Sequence, residues 1–116
     1  MLRFMCKSKI HRATITKRDL HYEGSIGIDS ELLRKADILP GEIVQVVNIN
    51  NGSRFETYAF EEKPGSRVIG LYGAAAHMGK IGDLVIILSY ALLNNSASKR
   101  SRIKVVYVDS KNRLKR

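Results

Sequence analysis

The sequence predicts a mainly β domain, a small barrel or sandwich with few helical turns. Three observations carry this. Short runs rich in Val, Ile, Thr and Tyr recur along the chain, each bounded by Gly, Asn, Asp or Pro. One segment alone combines helical patterning with residues that start and stop a helix. At 116 residues and 44% apolar content, the chain holds enough apolar mass for one core and no more. No internal repeat, linker or low-complexity tract divides it, so residues 1–116 are read as a single domain.

Taken in order, Arg12 to Thr16 alternates with period two and reads as a strand. The helix follows: Asp29 or Ser30 can cap it, and Glu31 suits its first turn. Leu32, Leu33 and Ala36 give it an apolar side, and Pro40-Gly41 prevents continuation. Ile43 to Ile49 is β-branched and ends at Asn50-Asn51-Gly52, a hairpin signal, with Arg54 to Phe60 as the returning strand. Arg67 to Leu71, Leu84 to Leu88 and Ile103 to Val108 are further strands, and Gly73 to His77 reads as a single helical turn.

Charge is unevenly placed. The chain carries +9, but Met1 to Arg18 has six basic residues and no acid, and Lys99 to Arg116 has eight basic residues and one acid. The middle is net acidic. Basic termini suit nucleic acid, an acidic partner or an anionic substrate; Lys111 to Arg116 reads as a solvated, frayed tail. The longest mostly apolar stretch, Leu84 to Leu93, is far below the roughly 20 residues of a membrane span. No signal peptide is expected from Met1 to Ile10. The one cysteine, Cys6, cannot form an internal disulfide, so a reducing, cytoplasmic setting is expected.

Gly24-Ser25, within His21-Tyr-Glu-Gly-Ser-Ile-Gly-Ile-Asp29, is on its own a turn dipeptide. A serine hydroxyl in a strained bend can also attack the carbonyl before it, turning the peptide into an ester. Glycine there leaves the carbonyl unshielded and tolerates unusual dihedrals. Elimination from that ester gives dehydroalanine, whose hydrolysis leaves a pyruvoyl group at a new N-terminus. The neighbouring motifs give this reading weight. They are Met5-Cys-Lys-Ser-Lys-Ile-His-Arg12, Asn51-Gly-Ser-Arg-Phe-Glu-Thr-Tyr58, Gly73-Ala-Ala-Ala76 and Gly82-Asp-Leu-Val-Ile-Ile87. Together with His21 to Asp29 they resemble, in order and spacing, the aspartate α-decarboxylase family, the pyruvoyl-dependent enzymes that make β-alanine for pantothenate synthesis. Beyond Tyr90 only strand character and chain length match.

The resemblance implies a double-psi β-barrel of six strands with short helices, assembled as a homotetramer. It implies autocatalytic cleavage between Gly24 and Ser25, giving a short chain 1–24 and a long chain 25–116. The cofactor is then a pyruvoyl group made from Ser25, which forms a Schiff base with the amine of L-aspartate; neither pyridoxal phosphate nor a metal is called for. Such a ketone takes up the electrons left when CO₂ departs. Tyr58 matches the proton donor, a phenol still protonated at neutral pH. Substrate contacts fall on Lys9, Arg54, Thr57, Gly73, Ala74 and Ala75. Of these, Arg54 carries the planar fork that suits a carboxylate. His11, Tyr22, Thr57 and Tyr72 correspond to residues around the cleavage site. A helper protein for maturation is neither required nor ruled out by these motifs.

The sequence departs from the family pattern at Tyr72, where Asn usually precedes Gly-Ala-Ala-Ala. An amide is lost where a hydrogen bond to a reacting carbonyl is expected, so slow self-cleavage is predicted. The rival reading is a small basic β-barrel that binds nucleic acid. It has the charge but lacks the stacking platform: aromatics are 7%, with no Trp and none interleaved with basic residues along a strand.

Overall fold

The computed structural model describes residues 1–115. Eight extended segments form one hydrogen-bonded ladder in the order β2-β6-β3-β5-β4-β7-β1-β8. In chain order these are β1 (Leu2–Thr14), β2 (Lys17–Asp19), β3 (Ser25–Asp29), β4 (Ile43–Asn48), β5 (Arg54–Glu62), β6 (Ile69–Tyr72), β7 (Leu84–Asn94) and β8 (Lys104–Tyr107). Helix α1 (Ser30–Ala36) follows β3, a 3₁₀ helix (Gly73–Met78) follows β6, and α2 (Asn95–Arg100) follows β7.

The ladder closes through the chain itself. Only Ile15 and Thr16 separate β1 from β2, so the two are one long stave. At the join, the Ile15 N–H donates to the Asp83 carbonyl and the Thr16 N–H donates to the Ile69 carbonyl. The stave therefore pairs with β7 at one end and β6 at the other. Counted this way the ring has six staves, a small β-barrel as expected, with β8 added outside it along β1. The pairings β2·β6, β3·β5 and β1·β8 are parallel and the rest antiparallel.

Strand alternation fills the barrel. Val44 and Val46 of β4, Val85 and Ile87 of β7, and Ile10 of β1 point inward and are fully buried, as are Ile26, Ile28, Ile69 and Leu71. Each such side chain contributes about 1.5–3 kcal/mol by leaving water. Helix α1 closes one end with Leu32, Leu33 and Ala36. The Asp29 carboxylate caps it by accepting the Glu31 N–H. The helix stops at Asp37, in the left-handed conformation (φ 56°), before Pro40-Gly41 is reached.

Several expectations need correction. The strand read at Arg12 to Thr16 is the far end of a 13-residue strand, and Arg12 itself sits at φ 64° where the register slips between Ile10 and Ala13. A bulge residue breaks period two, which hid the rest of β1. β2 and β3 were not expected as strands, being three and five residues long. β7 runs on to Asn94 and leads into α2, which was missed because its cap is the side chain of Asn94, accepting the Ala97 N–H, on a polar six-residue helix. The tail is not frayed through residue 115: Asn112 is buried, its amide donating to the Thr14 and Arg67 carbonyls, and Leu114 bridges Val108. Among the described residues no helix is long and apolar enough to cross a membrane.

Candidate active site

The Gly24–Ser25 peptide lies at the entry to β3, where Ser25 pairs with Tyr72 of β6. Antiparallel pairing holds Ser25 against the start of the 3₁₀ helix, and its side chain is buried. The Ser25 hydroxyl donates to the Glu23 carbonyl at 3.2 Å. Strain at this junction sits on Gly73 rather than on Gly24. Gly73 has φ 64°, and a Cβ there would come within 2.6 Å of Gly24 Cα, 2.7 Å of Gly24 N and 2.9 Å of the Tyr22 carbonyl. Two backbones touch here, and only a residue without a side chain permits it. Gly24 is not among the glycines with positive φ, and a Cβ on it would meet ordinary contacts at 3.8 and 3.9 Å. Its tolerance of unusual dihedrals is therefore not drawn upon.

Ser25 opens onto a cleft of about 160 Å³ lined also by Tyr22, Glu23, Tyr58 and Phe60. Tyr58 stands on the outward face of β5, 37% exposed. Thr57, next to it, faces the other way, half-buried opposite Val44. Ala74 is exposed beside Gly73, while Ala75 is buried. Among the described residues no side chain caps the first turn of the 3₁₀ helix, which starts against Gly24.

Tyr72 does not face Gly24. Its ring lies over the glycine pair Gly27–Gly70, where any Cβ would come within 3 Å of it. Its hydroxyl donates to Glu62 Oε2 at 2.5 Å. Tyr22 and Phe60 flank the ring with centroids 5.2 and 5.3 Å away, and the Lys17 ammonium stands 5.7 Å over it. Burial, then the hydrogen bond to Glu62, pushes the phenol far above its usual value. The hydroxyl that stands where the family has an amide is engaged with Glu62.

The remaining expected residues lie apart from this cleft. Arg54 is on the same outward row of β5 as Tyr58 but four residues earlier, about 13 Å along the strand. Its Nη1 donates to Gln45 Oε1 at 2.7 Å, which also accepts the Tyr90 hydroxyl. Lys9 faces outward on β1. The register Lys9–Leu88–Gln45–Glu56 puts three strand spacings, about 14 Å, between it and β5. His11 is further along β1, its ring edge-on to Tyr107 at 5.7 Å and its Nδ1 buried without a partner among the described residues. Burial, with Lys9, Arg12 and Lys115 nearby, holds its imidazole below the usual value. One chain thus gathers Ser25, Tyr58 and Tyr22, and leaves Lys9, Arg54 and His11 on other parts of its surface.

Phe60, Glu62 and Glu23 went unread in the sequence. Period two from Tyr58 puts Phe60 and Glu62 on the same outward row, a signal that was available. Glu23 had none beyond its place before Gly24.

Comparison with known proteins identifies the family. The family model described as aspartate decarboxylase matches residues 1–115. A curated relative from Thermoanaerobacter pseudethanolicus, named aspartate 1-decarboxylase, is 53% identical over 113 residues, covering 97% of each chain. Agreement of this extent, spanning both the serine cleft and the outlying cations, shows that the chain belongs to the aspartate decarboxylase family.

Proposed function

We propose that the chain cuts its own Gly24–Ser25 bond and then converts L-aspartate to β-alanine and CO₂, using a pyruvoyl group derived from Ser25, in the cytoplasmic route to pantothenate. The observation that carries this reading is the contact of Gly73 backbone on Gly24 beside a buried Ser25 hydroxyl that opens onto the Tyr22–Tyr58 cleft. In the first step Ser25 Oγ bonds to the Gly24 carbonyl carbon, the C–N bond breaks, and the nitrogen takes the proton. Gly73 holds Gly24 in place for that attack, and the Ala74 nitrogen, 3.9 Å from where a Gly24 Cβ would sit, is the donor nearest the developing negative charge. Once formed, the pyruvoyl ketone supplies a sink for the electrons released with CO₂.

The residues around it bind, orient and move a proton. Tyr58 presents its hydroxyl to the cleft and gives a proton to the carbon that loses CO₂. Arg54, its fork oriented by Gln45, grips the carboxylate that stays, with Lys9 as a second cation. Since Arg54 and Lys9 lie roughly 13 Å or more from the Ser25 cleft of their own chain, a second copy supplies them, and the working form is a homotetramer.

The test is Ser25→Ala, followed by denaturing gel and intact mass. The wild type should resolve into fragments 1–24 and 25–116, the variant should remain a full-length folded chain, and only the wild type should release CO₂ from aspartate. Fragments of those sizes from Ser25→Ala, or retained decarboxylation, would sink the proposal.

A further inference from the structure

A groove of about 510 Å³, sharing no lining residue with the Ser25 cleft, runs along β8. It is lined by Lys104, Val105 and Tyr107 of β8, by Lys35 of α1, and by Leu114 and Lys115 of the C-terminal segment. β8 ends the ladder: β1 pairs with one side of it, and on the other the C-terminal segment meets only its far end, through the Val108–Leu114 bridge, among the described residues. The Tyr107 carbonyl accepts the Lys115 N–H at 2.9 Å on that outer side. Strand alternation then turns the N–H and C=O of Val105, two residues earlier, the same way. Among the described residues no loop, turn or side-chain group bonds to either.

Lysine at a sheet edge usually serves to repel other chains. Three features set this edge apart. The lysines come from three separate segments and converge on one groove. None of them forms an ion pair, and no carboxylate lines the groove, among the described residues. Between them Val105 and Leu114 offer apolar surface and an open backbone pair. That combination suits strand addition, in which main-chain bonds give affinity and side-chain pockets select the sequence. We propose that this groove docks an extended acidic segment of another polypeptide as an added strand along β8.

The probe is a fluorescein-labelled ten-residue peptide of alternating Glu and Val, titrated into the intact protein by anisotropy, with amide exchange of Val105 read in parallel. Saturable binding is expected, with Val105 exchange slowed at least about tenfold. The same peptide N-methylated on alternate residues should fail to bind, because its edge can no longer pair. Lys35→Glu with Lys104→Glu should weaken the unmodified peptide about tenfold or more, in a protein whose melting temperature matches wild type. The N-methyl comparison does not depend on that variant folding. Absence of saturation up to about 1 mM peptide, or equal binding of the N-methylated form, overturns the proposal. So does displacement by a short oligonucleotide of equal charge with Val105 exchange unchanged, which would mark a general anion patch. Protection of Val105 that rises with protein concentration alone would assign the edge to a second copy and likewise overturn it.

Discussion

Gly73→Ala is the most informative single change at the candidate site. The new methyl meets backbone on every side, at 2.6 Å from Gly24 Cα and 2.9 Å from the Tyr22 carbonyl. Ordinary contact begins near 3.4 Å, so Gly24 must move by close to 1 Å. Misplacement of that size in a reacting pair costs about 100-fold in rate. Stability falls as well. A side chain held at φ 64° costs about 1–2 kcal/mol, and overpacking adds about 1–3 kcal/mol. The total of about 2–5 kcal/mol is a large part of the roughly 5–15 kcal/mol that holds a typical domain together, and lowers the melting temperature by about 8–20 °C. The assay follows the 25–116 fragment on a denaturing gel against time, with melting curves of the uncleaved protein. Gly24→Ala is the control, because its methyl finds room and should leave the melting temperature nearly unchanged. If Gly73→Ala matures within about threefold of wild type and melts within about 2 °C of it, the contact argued here does not position the cleavage.

Arg54→Ala in fully cleaved protein should lower kcat/KM for aspartate by roughly 30-fold to several thousand-fold, matching a loss of about 2–5 kcal/mol for one partner of a charge pair. Arg54→Lys should recover part of it, and a change under threefold in the alanine variant would shift the carboxylate grip to Lys9. Tyr72→Asn should speed cleavage by offering an amide near Gly24, yet lower the melting temperature, since the Gly27–Gly70 slot empties and Glu62 loses its donor; slower cleavage would contradict the first half. His11 gives a pH signature. Burial chiefly, helped by nearby cations, lowers its folded value below the ordinary 6.5, so the unfolded chain takes the proton first and stability falls as pH drops below about 6.5. His11→Gln should flatten that part of a melting-temperature profile, and an unchanged slope would count against the buried neutral imidazole.

Period two and turn residues exposed β4, β5 and their hairpin in the sequence, because Asn50-Asn51-Gly52 separates a β-branched run from an alternating, aromatic-bearing one. The site's chemistry was legible only through motif resemblance, since Gly24-Ser25 by composition is a turn. What stayed hidden depends on tertiary partners. The Asp29 carboxylate, expected only as a cap, also accepts the Gly65 and Arg67 N–H groups from a loop 36–38 residues away. Asn48 ties its own turn, Met78 and Asp83 together. Tyr72 was expected among the residues around the cleavage site, but a slot made by two glycines on different strands takes its ring, and no local pattern announces such a slot.

The stave made of β1 and β2 has a consequence for the matured molecule. A cut after Gly24 releases it as a separate 24-residue peptide, yet that peptide still fills the gap between β7 and β6 and carries β8 on its flank. Cleavage therefore turns an intramolecular ring closure into a two-piece association. Within each subunit the uncut chain recovers as one piece. The processed form unfolds into two pieces that must find each other again, so its melting point rises with protein concentration and its recovery after heating slows on dilution. The proposed maturation would add an assembly step inside each barrel, with the barrel's own stave as the removable part.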